Sequence, residues 1–315
     1  MTDQKLTGRE VSASPAAEGG AERAARHREL GLASVPDERF DEFARELVER
    51  TGAIAAMVDF VGDRRLYFAG LAARTDLEPG DPVLLGDPGR EMALDHGFCP
   101  HVVARRKALV LDDVYAYPRF AGNPVVDELG VRSYLGAPLI DDDGTVIGTV
   151  CAVDPSPKSG PENAGWGKRG LETIKQVADD VLGEIRVRRR ASALIEAAPG
   201  PVMVTVGENL EVLYANSAHE RFFGAVRELG APAVQVFPGL GAVGLPAAVQ
   251  QALRFDTPVT TEAVRLADGH ELLFAVVPAQ VPGHHSAQLT VGVLDAEADT
   301  ALALAYELSE SLAKL

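Results

Sequence analysis

Cysteine is scarce in this sequence, and several other features are missing with it. Of 315 residues only two are cysteine, Cys99 and Cys151, too few for a four-ligand structural zinc site unless histidines complete it. No apolar run reaches the roughly 18 residues needed to span a bilayer. The opening stretch MTDQKLTGREVSASPAAEGG lacks the apolar core of a secretory signal. The expectation is a cytoplasmic chain whose thiols stay reduced. Positive charge is also short, with 30 Lys and Arg against 46 Asp and Glu and a net charge of −16. Binding a phosphate backbone needs a positive surface that releases counterions, so nucleic acid is excluded as a partner. Anionic membrane surfaces are excluded by the same sign. There is no Walker loop, no dinucleotide G-x-G-x-x-G, no H-E-x-x-H and no G-x-S-x-G. No catalytic residue and no metal ligand is assigned, no motif names a cofactor, and the chain is not expected to be an enzyme.

What is present suits two globular domains. Hydrophobic residues make up 46% and charged residues 24%, an ordinary balance at a length that favours two cores. Residues 1–30 are small and polar and read as a disordered tail, with helical character near Ala21–Leu30. From Asp37, an N-cap, Phe40, Phe43, Ala44 and Leu47 recur at helical spacing up to Gly52. AIAAMVDFVG and RRLYFAGLA form a hairpin around Gly62-Asp63, residues 75–90 are loop, and a short helix is expected over 90–105. KALVLDDV, SYLGAPLI and TVIGTVCAVD read as strands, the last two turning at Asp142-Asp143-Gly144.

A long helix follows over 166–195, where Leu171, Ile174, Ala178, Val181 and Ile185 alternate steps of three and four, the seam of a coiled coil. RVRRR near its end reads as a solvated helix terminus. Beyond it, ALIEAAPGPVMVTV reads as a short helix, a break and a strand. EVLYAN is a strand, SAHERFFG a short helix, 226–244 loop and LPAAVQQALRF an amphipathic helix. VTTEAVRL, HELLFAVVPA and AQLTVGVLD are strands, and TALALAYELSESLAKL closes as a helix.

The segment GFCPHVVARRKALVLDDVYAYPRFAGNPVVDELGVRSYLGAPLIDDDGTVIGTVCAVD resembles the GAF family. It is similar to members reading F-C-x-x-V-V, D-P-R-F-x-x-N-P, Y-x-G-x-P-L and G-x-x-I-G-T-x-C-x-x-D, with Tyr117 standing where they have an acid. Less specifically, NLEVLYANSAHERFFG resembles the PAS family, with its strand ending in Asn-x-Ala and an aromatic helix after it. The implied fold class is α+β, with two antiparallel-sheet sensor domains joined by a long helix. The expected division is a GAF-like domain over 31–165, a signalling helix over 166–195, a PAS-like domain over 196–296 and a terminal helix over 297–315. No output module is expected in the roughly 20 residues that follow the PAS-like domain.

The remaining motifs favour structural readings. Cys99-Pro100-His101 breaks the Cys-His pair of bilin-binding GAF domains, and Cys151 lies among apolar strand residues as a small hydrophobe. His96, Cys99 and His101 do not share a helix face, so they do not bind metal. His219 lacks the context of a phosphoacceptor, and His284-His285 reads as a polar turn. Asp112 and Asp113 are adjacent on a strand and face opposite ways.

The expected function is sensing. Phe98, Tyr115, Phe120, Tyr134 and Cys151 line a ligand pocket under a 112–134 lid, and Tyr214, Phe222, Phe223 and Phe237 line a second. The partners expected are an unidentified small molecule, a second copy through the 166–195 seam, and a separate effector such as a kinase or regulator. The alternatives are a protein–protein adaptor without ligand and a cysteine-based redox sensor or enzyme.

Overall fold

The computed structural model describes residues 16, 18–87, 89–159, 166–224, 229–281 and 284–315. The first sheet has six antiparallel strands in the order β3-β2-β1-β6-β5-β4. They are β1 Ala55–Val61, β2 Arg65–Ala73, β3 Glu91–Ala93, β4 Leu109–Leu111, β5 Ser133–Ile140 and β6 Val146–Asp154. Alternation along each strand sends successive side chains to opposite faces, so the sheet feeds two cores.

On one face Ala56, Val58, Leu135, Ala137, Val150 and Ala152 meet helix α2, Glu38–Thr51, through Phe40, Phe43, Ala44 and Leu47. The long helix α5, Gly167–Glu196, completes this layer with Ile174, Val177, Ala178, Val181 and Ile185. On the other face Met57, Phe68, Tyr134, Cys151 and Val153 pack under helix α3, Cys99–Arg105, and helix α4, Pro124–Glu128. Of the helix expected over 90–105, only the second half forms. Residues 91–93 pair with β2 instead, an edge that the loop leading into it makes available.

The tail expected over 1–30 ends earlier than the composition suggests. Gly20–Leu30 is helix α1, and its Leu30 is fully buried in the first core. Arg23 anchors it, with Nε donating to the Val61 carbonyl at 3.0 Å and Nη1 to the Glu18 carbonyl at 2.8 Å. Apart from Ala16, Glu18 and Gly19, the earlier part of that tail lies outside the described residues.

The second sheet runs β10-β11-β12-β7-β8, with β9 also on β11. Its strands are β7 Val202–Val206, β8 Glu211–Ala215, β9 Val259–Thr260, β10 Val264–Arg265, β11 Glu271–Val281 and β12 His284–Leu294. The single strand expected from VTTEAVRL is thus two short ones. Consecutive residues Leu272–Val277 of β11 are all buried, so both faces of the sheet are covered. Helices α6 Ser217–Phe223, α7 Ala233–Val236, α8 Leu245–Phe255 and α9 Ala298–Ala313 provide that cover. Part of the loop expected over 226–244 is α7 and a 3₁₀ helix at Pro238–Val243.

One helix serves both cores. Ile174 to Ile185 of α5 belong to the first, while Ala191 and Ile195 belong to the second. There is no separate helix at 191–196. The residues of the predicted pairing seam are buried against their own sheet, except Leu171, which is half-buried. They are therefore not a free face for a second copy, because packing within the chain already covers them. Among the described residues no helix is long and apolar enough to cross a membrane.

Candidate functional site

Strand register brings the first cluster together. Met57 of β1 stands opposite Cys151 of β6, and Asp59 opposite Thr149, so all four point to the face under α3. On the other side of β6, Gly136 of β5 stands opposite Cys151. A Cβ on Gly136 would lie 2.2 Å from the Tyr134 Oη, so glycine here makes room for the phenol. That hydroxyl donates to Cys99 Sγ at 3.5 Å, and Cys99, the first residue of α3, lies 3.6 Å from Cys151 Sγ.

Asp59 is the member that sequence reasoning missed. It has no motif, and in AIAAMVDFVG it looks like the polar residue of an alternating strand. It is fully buried, yet one oxygen accepts from Thr149 Oγ1 and the other, Oδ1, has no hydrogen-bond partner among the described residues. Ligand atoms of Asp59, Cys99 and Cys151 all lie within 4.8 Å of one another. A buried acid with a spare oxygen beside two thiols is the signal that strand alternation plus register could have given.

The charges in this cluster follow from its surroundings. Burial pushes the Asp59 carboxyl well above the usual range, which favours its protonated form. The polar neighbours of Cys99, Cys151 foremost and then Thr149, Tyr134 and Asp59, outweigh burial and bring its thiol down to about 6. Cys151, beside Cys99 and itself buried, is pushed well above the ordinary thiol value. The thiolate is thus favoured on Cys99 and the thiol on Cys151.

Of the pocket expected here, the structure assembles Phe98, Phe120, Tyr134 and Cys151. Phe98 packs edge-on to Phe120 and Tyr134 at 5.7 and 5.1 Å between ring centres. Tyr115 is not part of it: the ring is 53% exposed and lies under the Arg132 guanidinium at 4.4 Å. Asp113 turns that residue outward by capping the 3₁₀ turn Val114–Ala116. Tyr117, standing where family members have an acid, donates to Asp112 at 3.0 Å and keeps the turn closed. The cavity is small, about 30 Å³, roofed by Leu84, Val125, Leu129 and Val131 above Met57, Phe98 and both thiols. The expected 112–134 lid is therefore mostly core, with Val114, Phe120, Val125 and Val126 buried, because its apolar residues fill the space a ligand would need.

The four aromatics expected to share a second pocket are scattered. Tyr214 lies at the junction between domains, where its ring fills the space beside Gly31. Burial raises its phenol to about 12. Phe223 and Phe237 flank His219, with ring centres 4.8 and 4.6 Å away. His219 is fully buried, neither ring nitrogen has a hydrogen-bond partner among the described residues, and burial lowers its pKa to about 4. Phe222 turns away, 39% exposed. With Leu194, Pro201, Leu304 and Leu308 it lines an open apolar hollow of about 620 Å³ between the end of α5, β12 and α9.

Asn216, from the Asn-x-Ala element, ties three segments together. Its Oδ1 accepts from the Val202 and His219 amides at 2.8 and 2.9 Å, and its Nδ2 donates to the Ile195 and Gly200 carbonyls at 3.2 and 2.8 Å. The end of α5 is thereby bonded to β7 and α6.

A second knot lies where α5 leaves the first domain. Arg188, buried, donates from Nη1 and Nη2 to Asp37 at 2.5 and 3.1 Å, and its guanidinium stacks on Phe40 at 4.3 Å. Asp37 also caps α2 through the Arg39 and Phe40 amides at 3.0 and 3.2 Å. His284 of β12 completes the group, its Nε2 lying 3.1 Å from Asp37. Burial alone would raise the Asp37 carboxyl, but His284 and Arg188 outweigh it and hold it below the usual range. Neither RVRRR as a purely solvated end nor His284 as a polar turn survives this geometry, since Arg188 and His284 both contact the buried Asp37 carboxylate. The linker before Asp37 contributes too, with Ala33 and Val35 in the second core and the Ser34 amide donating to the Leu229 carbonyl at 3.2 Å.

The GAF domain family model matches residues 35–185, and the PAS domain family model matches residues 189–252. A cyclic di-GMP phosphodiesterase of Pseudomonas aeruginosa is 29% identical over 100 residues, covering 31% of this chain and 16% of that protein. The chain thus spans less than a fifth of that relative's length. Similar solved structures include a type II free methionine-R-sulfoxide reductase from Thermoplasma acidophilum, 14% identical, covering 52% of this chain and 95% of that one, with a TM-score of 0.35. Residues 122 to 287 of a methyl-accepting chemotaxis protein are 21% identical, with 56% and 99% covered and a TM-score of 0.36.

Proposed function

We propose that this chain, a GAF domain followed by a PAS domain, is a cytoplasmic sensory protein that takes its stimulus in the GAF domain and passes it to the PAS domain along α5. The observation that carries this reading is the double membership of α5, whose side chains build one core and then the other. A shift of the first layer therefore moves the second, because packed helices move as rigid elements between discrete arrangements. The two knots, Arg188–Asp37–His284 and Asn216–Ile195, link that movement to β12, β7 and α6. The protein hands the change to a separate effector.

The input is small. A cavity of about 30 Å³ is close to the share of one water molecule in the liquid, so a larger ligand enters only by lifting Leu84 and Leu129. Native mass spectrometry of gently purified protein tests for a bound molecule. Hydrogen exchange then tests the relay: a stimulus that changes exchange in α3 and α4 also changes it in β12. Change confined to the first domain would refute it.

A further inference from the structure

The reading above leaves the stimulus unnamed, and the cluster around Cys99 names one. We infer that Asp59, Cys99 and Cys151 form a peroxide-responsive dithiol centre, in which hydrogen peroxide oxidises the two thiols to a disulfide. The inference rests on the sensory reading only for its consequence, not for its chemistry.

Three features carry it. The two sulfurs are already in van der Waals contact at 3.6 Å, so closing to the roughly 2.05 Å of a disulfide takes a movement of about 1.5 Å. The Tyr134 hydroxyl donates to Cys99 Sγ at 3.5 Å, a contact that favours the thiolate there and marks Cys99 as the attacking sulfur. The buried Asp59, with its spare oxygen in the cluster, is an acid placed beside the reacting sulfur. The apolar cavity of about 30 Å³ selects the oxidant, since it is too small for glutathione disulfide or another bulky thiol oxidant.

The steps balance. The Cys99 thiolate attacks one peroxide oxygen and the O–O bond breaks. Asp59 gives its proton to the departing hydroxide, leaving water, a sulfenic acid on Cys99 and an ionised Asp59. The Cys151 sulfur then attacks the Cys99 sulfur, and its proton leaves with the sulfenic hydroxyl as a second water. Two thiol sulfurs lose two electrons and the peroxide gains them. The cluster carries one negative charge before and after, moved from sulfur to carboxylate, so no additional charge is buried.

The consequence follows from what Cys99 is attached to. It opens α3, and the preceding Gly97 is clamped to Asn123 at the start of α4, amide to Oδ1 at 2.9 Å and Nδ2 to carbonyl at 2.8 Å. Drawing Cys99 toward β6 therefore pulls α3 and α4 together.

The test uses the full chain, reduced, then freed of reductant and treated with a chelator. Hydrogen peroxide is added, and samples are quenched in acid, unfolded, alkylated and weighed. The expected result is loss of two hydrogens' mass, both thiols blocked until reductant is added, and one peptide joining positions 99 and 151. Cys151→Ser stops at a sulfenic acid on Cys99 that dimedone captures, Cys99→Ser leaves Cys151 unreacted, and Asp59→Asn slows the reaction on the order of 100-fold. Glutathione disulfide leaves the wild type reduced. The inference is overturned if both thiols stay free under peroxide, if Cys151 is oxidised first, or if the isolated chain holds a stoichiometric metal ion on both sulfurs. The two Cys→Ser variants decide the matter even if Asp59→Asn fails to fold. Hydrogen exchange on the same samples separates the two ideas, because a disulfide that forms while β12 stays unchanged sinks the relay and leaves the centre standing.

Discussion

Replacing Arg188 by Met is the sharpest perturbation of the link between domains. In the native chain its side chain is 3% exposed and pairs with an equally buried Asp37. Removing one partner of such a pair costs about 3–5 kcal/mol, because the charge left behind cannot recover its hydration. For a domain of this size each kcal/mol moves Tm by roughly 2–4 °C, so a fall of roughly 10 °C is expected. Asp37→Asn, which keeps the acceptor that caps α2, removes the stranded charge. The double variant therefore recovers most of the loss, and the two single effects do not add. The assay uses two signals. Trp166 is the only tryptophan and is buried at the start of α5, so its fluorescence reports the first domain, while far-ultraviolet circular dichroism reports both. The two transitions coincide in the wild type and separate in Arg188→Met, because α5 loses its buried tie to Asp37, the residue that His284 of the second domain also contacts. A shift under about 1 kcal/mol, or simple additivity in the double variant, would refute the reasoning.

Three further outcomes are expected. His219 is buried and His27 half-buried, with pKa values lowered to about 4, so the unfolded chain binds protons that the folded one does not. Stability is then complete above the ordinary histidine value and falls as pH drops from about 6.5 to about 4, by roughly 3 kcal/mol per histidine. Urea midpoints measured across that range check it, and a flat profile contradicts it. Because both His219 nitrogens lack partners among the described residues, His219→Leu raises Tm by a few degrees; a fall would show that the ring has a polar role. Gly148→Ala places a Cβ 1.9 Å from the Asp59 carbonyl oxygen, forces β6 away from β1 and destabilises by about 3 kcal/mol or more, read by Trp166 fluorescence in urea. Gly183→Ala, where a Cβ meets nothing within 4 Å, serves as the control and leaves stability unchanged or slightly raised.

Local physics made the elements legible from the chain alone. Asp37 and Gly52 bracket α2, the Asp142–Gly144 turn joins β5 to β6, and the helix expected over 166–195 is α5 at Gly167–Glu196. Caps, turns and periodicity act within a few residues, so they can be read without knowing the fold. The family motifs added the order of the two domains. What folding alone decided is every relationship between residues distant in sequence. Heptad spacing in α5 is satisfied equally by a second copy or by one's own sheet, and only packing shows that the sheet takes it. Nothing near Arg188 in the chain points to Asp37, 151 positions away. Asp59 reads as an ordinary polar strand residue until register sets it against Thr149, and α3 lays Cys99 over Cys151. Aromatic composition shows neither which aromatics are buried nor which cavity they share, which is why Tyr115 and Phe222 face solvent and Tyr214 sits at the junction between domains.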